Sequence, residues 1–360
     1  MKKARSIAIS FLKPIHLILY ALFIICTAYY SPRWEISNPY EQVNWEKHGQ
    51  YKANLHTHTT RSDGSLSPQY VVDKYHQLGY GILALTDHNE VTYPWTEFSS
   101  MKASDKSKER LAGGKLAPEH LVYENRNPKA LGMIAIQGNE VSAPHHTGSF
   151  FNDYNHPANQ EDSTYVSISA KNGLMIINHP GRYKHNAHWY INFYRKYNHL
   201  IGMEIYNTGD LYPNDRHLWD SVLVALSPVR QVWAYSNDDM HGEGSLGRNW
   251  SIFILPELTK EWVRKGMEEG RSFYVYSPEG HKNPSIPVIH SVQVNQKKGS
   301  IQIMATGQDS IHWISGGRIV QKGGLIKLND CPELSTYVRV EIFGPGGVIM
   351  GTQPFSVQKK

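Results

Sequence analysis

The stretch Ala53-Asn-Leu-His56-Thr57-His58 joins a short apolar strand to two histidines. Alternate residues of a strand point to the same side, so the two imidazoles are expected to face one way. A His-x-His pair is a common arrangement of metal ligands, whereas a lone histidine at a strand end is more often a hydrogen-bonded structural residue. The strands that follow decide between these two interpretations.

Four later apolar runs also end in histidine or carboxylate residues. They end at Thr86-Asp87-His88, at Asn139-Glu140 with His145-His146 just beyond, at Asn178-His179-Pro180, and at Asp238-Asp239-Met240-His241. Asp63 lies in a turn after the first strand. The carboxyl ends of parallel strands lie on one face of an α/β fold, where ligands bind. Because five strands end in histidine or carboxylate residues, the pattern favours a metal site over separate structural histidines.

The segments between these strands predict helices. Ser67-Pro68 is typical of a helix start and Gly79 of a helix end. Further helical patterns occur near 186–199, 215–226 and 259–269. Apolar strands that alternate with helices predict a parallel sheet covered on both faces, either open or closed into a barrel.

Two regions depart from this alternation of strands and helices. Residues 99–130 are polar and predict a long surface insertion near the site, which is either a lid or a loop without function. After about Pro284, the chain contains segments in which apolar and polar residues alternate one by one, and glycine-rich turns separate these segments. This pattern predicts a small antiparallel β domain, sandwich-like.

The composition narrows the chemistry. The 360 residues include 19 histidines but only two cysteines, Cys26 and Cys331. This excludes a disulfide scaffold and a zinc site of four cysteines. A metal site here is expected to use histidines and carboxylates.

The N-terminus predicts export. Basic residues, an apolar run from Ile15 to Ile25 and the small residues up to Ala28 follow the order of a secretory signal. The alternative is an uncleaved membrane anchor. Removing the four basic residues of 1–28 from the 37 leaves 33 against 32 acids, so the net charge falls from +5 to +1. The mature chain therefore has no strong signal for nucleic-acid binding.

Taken together, the motifs resemble those of the PHP (polymerase and histidinol phosphatase) family. The resemblance rests on His56-Thr-His58, Asp63-Gly, Thr86-Asp-His88, Glu140, His146, His179 and Asp239-x-His241. It implies an α/β fold, a distorted (β/α)7 barrel of the PHP type with a small C-terminal all-β domain. The domains would be a signal peptide or anchor at 1–28, a linker at 29–50, the metallohydrolase at 51–280 and the β domain at 281–360. The stretch Gly270-Arg-Ser-Phe273, which leads into the β domain, resembles the branch of this family that includes carbamate- and ester-hydrolysing members.

The resemblance also implies a centre of two or three divalent ions. His56, His58, Glu140 and Asp239 would hold one ion. Glu140 would bridge to a second ion, completed by His146 and His179, and a third would be held by Asp63, His88 and His241. His146 is preferred to its neighbour His145, which would be a pocket or exposed residue. Mn²⁺, Zn²⁺ and Fe all suit such ligands.

Metal-activated water is the expected nucleophile, since no Gly-x-Ser-x-Gly elbow is present. Asp63 and His241 are the candidates for moving protons. Arg182 and Asn207 are candidates for binding substrate, with a surface salt bridge and structural capping as the respective alternatives. Asp87 would orient an imidazole or fix its loop.

The leading prediction is an exported, periplasmic or secreted hydrolase of phosphate esters, with a small-molecule ester or nucleotide as substrate. The alternatives are hydrolysis of carboxyl or carbamate esters, 5′–3′ exonuclease action, and a non-catalytic metal-stabilised binding module. Contact with a membrane is expected only through an uncleaved N-terminal segment.

Overall fold

The computed structural model describes residues 34–142, 144–156, 160–282 and 285–360. The predicted signal or anchor, 1–28, lies outside the described residues, as does Cys26 within it. In the described part of the chain, no helix combines the length and the apolar character that crossing a membrane requires.

Six α-helices and nineteen strands form the described structure. The helices are α1 (Pro68–Gln77), α2 (Asp105–Ala112), α3 (Glu161–Ala170), α4 (Ala187–Lys196), α5 (Asn214–Leu226) and α6 (Lys260–Glu269). The first strands are β1 (Trp34–Ser37), β2 (Gly49–Asn54), β3 (Ile82–Ala84), β4 (Ile134–Ile136), β5 (Gly138–Val141), β6 (Thr147–Phe150), β7 (Leu174–Ile177), β8 (Leu200–Asn207), β9 (Trp233–Asn237), β10 (Asn249–Leu255) and β11 (Ser272–Tyr276). The remaining strands are β12 (Val288–Asn295), β13 (Ser300–Thr306), β14 (Ser310–Ser315), β15 (Arg318–Lys322), β16 (Leu325–Lys327), β17 (Tyr337–Phe343), β18 (Ile349–Thr352) and β19 (Phe355–Lys359).

Helix α1 shows how the local sequence sets an element. It begins at Pro68, directly after Ser67 at the N-cap position, and it ends before Gly79, whose φ is 76°. Glycine adopts this left-handed conformation without the steric cost that a Cβ imposes. Val71 and Tyr75 lie on one face of the helix and are fully buried. The helix therefore packs an apolar stripe against the core.

The strands form mixed sheets rather than one parallel sheet. Strands β2, β3 and β4 are parallel, and so are β7, β8 and β9. By contrast, β10 runs antiparallel to β2, and β5 and β6 form an antiparallel pair. Parallel pairing is thus found within these two groups of strands, while the strands β5, β6 and β10 add antiparallel pairs that the sequence analysis did not predict. The chain there reverses through connections that contain no crossover α-helix, such as the one from β9 to β10.

Two isolated parallel bridges connect the five-stranded sheet β5–β9 to the large sheet. They join His88 to Glu140 and Thr57 to Met240. Both bridges lie at the ends of strands that carry candidate ligands. The structure is therefore a mixed α/β fold with several sheets, and closure into a seven-stranded barrel stays a prediction.

The C-terminal strands are joined to the N-terminal part by backbone hydrogen bonds. Strands β12, β13 and β16 form their own antiparallel sheet, whereas β18 pairs with β11 and β19 pairs with β1. Strand β1 and the buried Tyr40 lie within the segment predicted to be a linker, 29–50. Trp95 and Trp313 belong to the same buried cluster. The antiparallel strands thus extend the main sheet and share its core.

Candidate metal centre

The first two histidines are positioned by a backbone ladder with the segment after β9. The His58 N–H donates to the carbonyl of Met240 over 2.9 Å, and the Asp239 N–H donates to the carbonyl of His56 over 3.0 Å. The Thr57–Met240 bridge belongs to the same ladder. The sheet geometry therefore brings residues about 180 positions apart in the chain to one site.

A second bridge positions His88 beside Glu140. The two residues pair directly, and the Asn89 N–H donates to the carbonyl of Glu140 over 2.9 Å. His146 precedes β6, and His179 follows β7 with a φ of 29°. Such a backbone conformation is uncommon for residues other than glycine and is concentrated at functional sites.

Glu140 lies at the middle of the cluster and is fully buried. Its Oε1 atom is 3.2 Å from Nε2 of His56, 3.1 Å from Nδ1 of His146 and 3.2 Å from Nε2 of His179. Its Oε2 atom is 3.0 Å from Nδ1 of His88. One carboxylate thus faces imidazoles from four segments, as a bridging ligand must.

The His-x-His pair converges on the same point. The Nε2 atoms of His56 and His58 are 3.1 Å apart. Oδ1 of Asp239 is 3.2 Å from the first and 3.1 Å from the second. The two imidazoles therefore face one carboxylate together, as expected from their alternate positions in the extended segment.

Asp63 forms the outer edge of the cluster. Its Oδ1 atom is 3.2 Å from Nε2 of His241 and 3.6 Å from Nε2 of His88. The side chain of His241 is 41% exposed, compared with 1% for His56. The opening of the site therefore lies on the side of Asp63 and His241.

All nine predicted ligands lie in four overlapping groups whose ligand atoms are within 4.8 Å of one another. The groups are His58, Asp63, His88 and His241; His56, His179 and Asp239; His56, His58 and Glu140; and His88, Glu140 and His146. His58 joins two of these groups, whereas the resemblance places it with only one ion.

Several buried polar atoms of the cluster support metal binding. Oδ1 of Asp63, Oε2 of Glu140, Oδ1 of Asp239, Nδ1 of His88 and Nδ1 of His146 have no partner in hydrogen-bonding geometry. Buried polar atoms normally have hydrogen-bond partners, and a bound ion is one of the usual reasons for an exception. Imidazole nitrogens and carboxylate oxygens are ligands of Mn²⁺, Zn²⁺ and Fe. The residues present therefore fit divalent ions.

The charge states of the carboxylates and of His58 also suit metal binding. Burial raises the pKa of Glu140 and of Asp239, but the nearby charge of His56 outweighs it and holds both pKa values well below the usual range. Burial also raises the pKa of Asp63, but the adjacent imidazole of His241 outweighs it and holds that pKa well below the usual range. Burial lowers the pKa of His58 to about 4. The carboxylates are therefore ionised and the His58 imidazole is neutral, the forms that bind metals.

The adjacent histidines 145 and 146 have different surroundings. His146 contacts Glu140, whereas His145 is 1% exposed and lies 2.9 Å from the carbonyl of His146 and 3.2 Å from the hydroxyl of Tyr190. The ring of His145 also packs against Tyr183 at 3.9 Å. The geometry therefore favours His146 as the ligand and His145 as a packed structural residue.

Glu204 is a buried residue that the sequence analysis missed. Its Oε1 accepts from Nδ1 of His56 over 2.9 Å, and its Oε2 accepts from the His179 N–H over 3.0 Å. Asn207 and Asn237 each donate to its carboxylate, over 2.9 and 2.8 Å. An acid within the otherwise apolar run of β8 was the available signal, because buried charges need partners.

The three weaker candidates have distinct positions. Asn207 is 1% exposed and its carboxamide is bonded to Glu204 and Thr208, so these contacts support the structural alternative rather than substrate binding. Asp87 accepts from the N–H and hydroxyl of Thr59 and from the hydroxyl of Ser62, and thereby fixes the loop after His58. Arg182 is exposed, and no ion pair involves it in the described residues.

Comparisons with known proteins give distant structural similarities. No family model matches the chain, and no curated protein matches it in sequence. A two-domain protein from Bacteroides vulgatus containing a predicted PHP-like metal-dependent phosphoesterase is 14% identical, with a TM-score of 0.49 over 88% of this chain and 96% of that one.

Two further structures are more distant. An amidohydrolase from Chromobacterium violaceum, solved with sulfate and no metal, is 17% identical, with a TM-score of 0.38 over 61% of this chain and 96% of that one. A proposed metal-dependent phosphoesterase from Bifidobacterium adolescentis is 13% identical, with a TM-score of 0.35 over 53% and 88%. These similarities are too distant to assign a function.

Proposed function

We propose that this chain is a metal-dependent hydrolase that acts on phosphate esters. The observation that carries the proposal is the convergence of six imidazoles and three carboxylates in four overlapping groups. Histidines with only a structural role do not commonly direct their ring nitrogens at shared carboxylates whose oxygens lack hydrogen-bond partners. Two or three ions, Mn²⁺, Zn²⁺ or Fe, would be held by the nine residues.

Divalent ions bound there would lower the pKa of a water molecule and offset developing negative charge. The residues of the chain then have separate tasks. Glu204 holds the His56 ring with Nε2 facing the centre. His241 is the most exposed of the candidate ligands, and its Nε2 lies 3.2 Å from Oδ1 of Asp63, so both side chains lie at the open side. With two ions bound by the other ligands, Nε2 of His241 and Oδ1 of Asp63 would stay free, and protons would pass between solvent and site there.

The charge balance supports an anionic substrate when three ions are bound. The centre contains four carboxylates, those of Asp63, Glu140, Glu204 and Asp239. Two divalent ions would balance these charges, and a third ion would make the centre positive. A phosphate ester is attracted to such a centre, while a neutral carboxyl ester gains less from it.

The finer description of the fold and the location are parts of the same proposal. A distorted (β/α)7 barrel is supported by the two bridges that join the strand ends, at His88–Glu140 and Thr57–Met240. Export to the periplasm or medium is supported by the sequence of residues 1–28 alone.

The test is a panel of esters supplied to the metal-loaded protein. A phosphomonoester, a phosphodiester, a carboxyl ester and a 5′-labelled oligonucleotide separate the candidate activities. We expect turnover of phosphate esters, and loss of both metal and turnover in His58→Ala and Asp239→Ala. Turnover of the carboxyl ester alone would favour the esterase alternative, and stepwise shortening of the oligonucleotide the exonuclease.

Two other outcomes would contradict the proposal. If the metal-loaded protein hydrolysed none of the esters, the result would favour a non-catalytic binding module. Full metal content in both variants, with the circular dichroism spectrum of the wild type, would show that the ligand assignment is wrong.

A further inference from the structure

Helix α2, in the predicted insertion 99–130, is attached to the loop that carries Asp63. The Ser104 N–H donates to the carbonyl of Thr60 over 2.9 Å, and the Ser104 hydroxyl donates to the carbonyl of Ser62. The same hydroxyl caps the helix by accepting from the Ser107 N–H over 3.1 Å. The start of α2 is thus fixed to the loop after His58.

The other end of α2 is fixed by an arginine. Nη1 of Arg110 donates to the carbonyls of Asp63 and Gly64 over 2.9 and 3.0 Å. Nη2 of the same side chain donates to the hydroxyl of Ser65 over 2.8 Å. Since both ends are held to the loop, the helix and the Asp63 carboxylate keep a defined relative position.

Lys106 extends from this helix to the opening of the metal centre. Its Nζ atom donates to Oδ2 of Asp63 over 3.2 Å, while Oδ1 of that carboxylate faces His88 and His241. The two oxygens are therefore divided between the ammonium group and the candidate metal site. The side chain of Lys106 is 63% exposed, so its ammonium group also reaches solvent.

We infer that Lys106 binds the anionic oxygens of the substrate at the open side of the metal centre. The inference rests on the proposed function and names a residue that would recognise the phosphate. Within the described residues, Lys106 is the one lysine or arginine that forms an ion pair with a carboxylate of the candidate ligand set. Its flexible stem lets the ammonium group turn to a phosphoryl oxygen placed next to Asp63.

The competing role for Lys106 is support of Asp63 alone. In that case its removal would disturb the carboxylate and weaken metal binding. In a substrate-binding role, its removal would leave the metal in place and weaken the binding of phosphate. Metal content and phosphate affinity therefore distinguish the two roles.

The experiment compares Lys106→Met, Lys106→Arg and the control Lys108→Met in the full-length, Mn²⁺-loaded protein. Lys108 lies on the same helix, is exposed and pairs with Asp105 rather than with the ligand set. Binding of inorganic phosphate is measured by isothermal titration calorimetry. Metal content is measured by mass spectrometry, and kcat and KM are measured with p-nitrophenyl phosphate.

We expect Lys106→Met to keep its metal and to bind phosphate roughly 10- to 100-fold more weakly, the size of one lost charge-assisted hydrogen bond. KM is expected to rise more than kcat falls. Lys106→Arg should remain within about threefold of the wild type, since it keeps the charge. Lys108→Met should match the wild type.

Unchanged phosphate affinity in Lys106→Met would overturn the inference, and so would loss of metal in that variant. Absence of phosphate binding by the wild type would also overturn it. A wild type that binds phosphate through Lys106 but hydrolyses no ester would support the inference while contradicting the proposed function. The two can therefore fail separately.

Discussion

Oε1 of Glu204 lies 2.9 Å from Nδ1 of His56, whose other ring nitrogen, Nε2, faces the candidate metal centre. When the His56 ring is neutral, Nδ1 carries the proton of this hydrogen bond, so Nε2, which faces Glu140 and Asp239, is the nitrogen that would bind an ion. The carboxylate is otherwise occupied by N–H donors, including the backbone of His179. Glu204 thus selects the tautomer of one ligand and fixes the position of another.

Glu204→Gln is therefore expected to weaken metal binding. The new amide group must face donors such as the Asn207 and Asn237 carboxamides, so at least one buried hydrogen bond is lost. We expect a roughly 10- to 100-fold loss of metal affinity, measured by competition with a chelator. Glu257→Gln, at an exposed position, is the control. Equal affinity in both variants would refute the role given to Glu204.

Substitution of the adjacent histidines should separate a ligand from a structural residue. His146→Gln removes an imidazole that lies 3.1 Å from Glu140 and should lower the amount of bound metal and the activity at least tenfold. His145→Gln should retain metal, because His145 contacts the His146 carbonyl and Tyr190 instead. Elemental analysis of the two purified variants checks this pair. The opposite pattern would transfer the ligand role to His145.

Metal removal should destabilise the fold. Without bound ions the buried carboxylates of Glu140 and Asp239 lose partners for oxygens that have no other hydrogen bond in the described structure. A ligand that binds only the native state adds about 2.7 kcal/mol to the free energy of unfolding when present at 100 times its dissociation constant. We expect Tm to fall on dialysis against a chelator and to recover with Mn²⁺ or Zn²⁺. An unchanged Tm would argue against a shared metal centre.

A buried ion pair tests whether the C-terminal strands are integral to the fold. On β17, Arg339 is 3% exposed and binds both carboxylate oxygens of Asp220 on α5, over 2.8 and 2.9 Å. Arg339→Met leaves the Asp220 charge buried and should lower the free energy of unfolding by about 3–5 kcal/mol. Lys360→Met breaks an exposed pair with Glu35 and should change it by less than about 1 kcal/mol. Urea denaturation of both variants measures the difference, and equal midpoints would contradict the prediction.

Much of the site follows from local sequence. Apolar runs that end in His58, His88, His179 and His241 are visible in the sequence because a strand buries its core residues in a short continuous segment. The start and end of α1 follow from Ser67-Pro68 and Gly79 in the same way. These features depend on neighbours within a few positions, and the structure has them where they were predicted.

The pairing of strands and side chains that are distant in the chain could not be predicted from local sequence. The antiparallel placement of β10 and the joining of β18 to β11 depend on which strand edges remain free after the other strands have paired. Glu204 is separated by 148 positions from His56, its hydrogen-bond partner. Nothing in the residues next to either one specifies the other.

The sequence by itself determined the residue types of the candidate centre and their placement at strand ends, because periodicity and turn residues act locally. Only the tertiary structure decided that Glu140 is shared among five imidazoles, that His146 rather than His145 faces it, and that Lys106 reaches Asp63. Such relationships depend on side-chain directions and on contacts between distant segments. They are set when the sheets pack together, which no local pattern records.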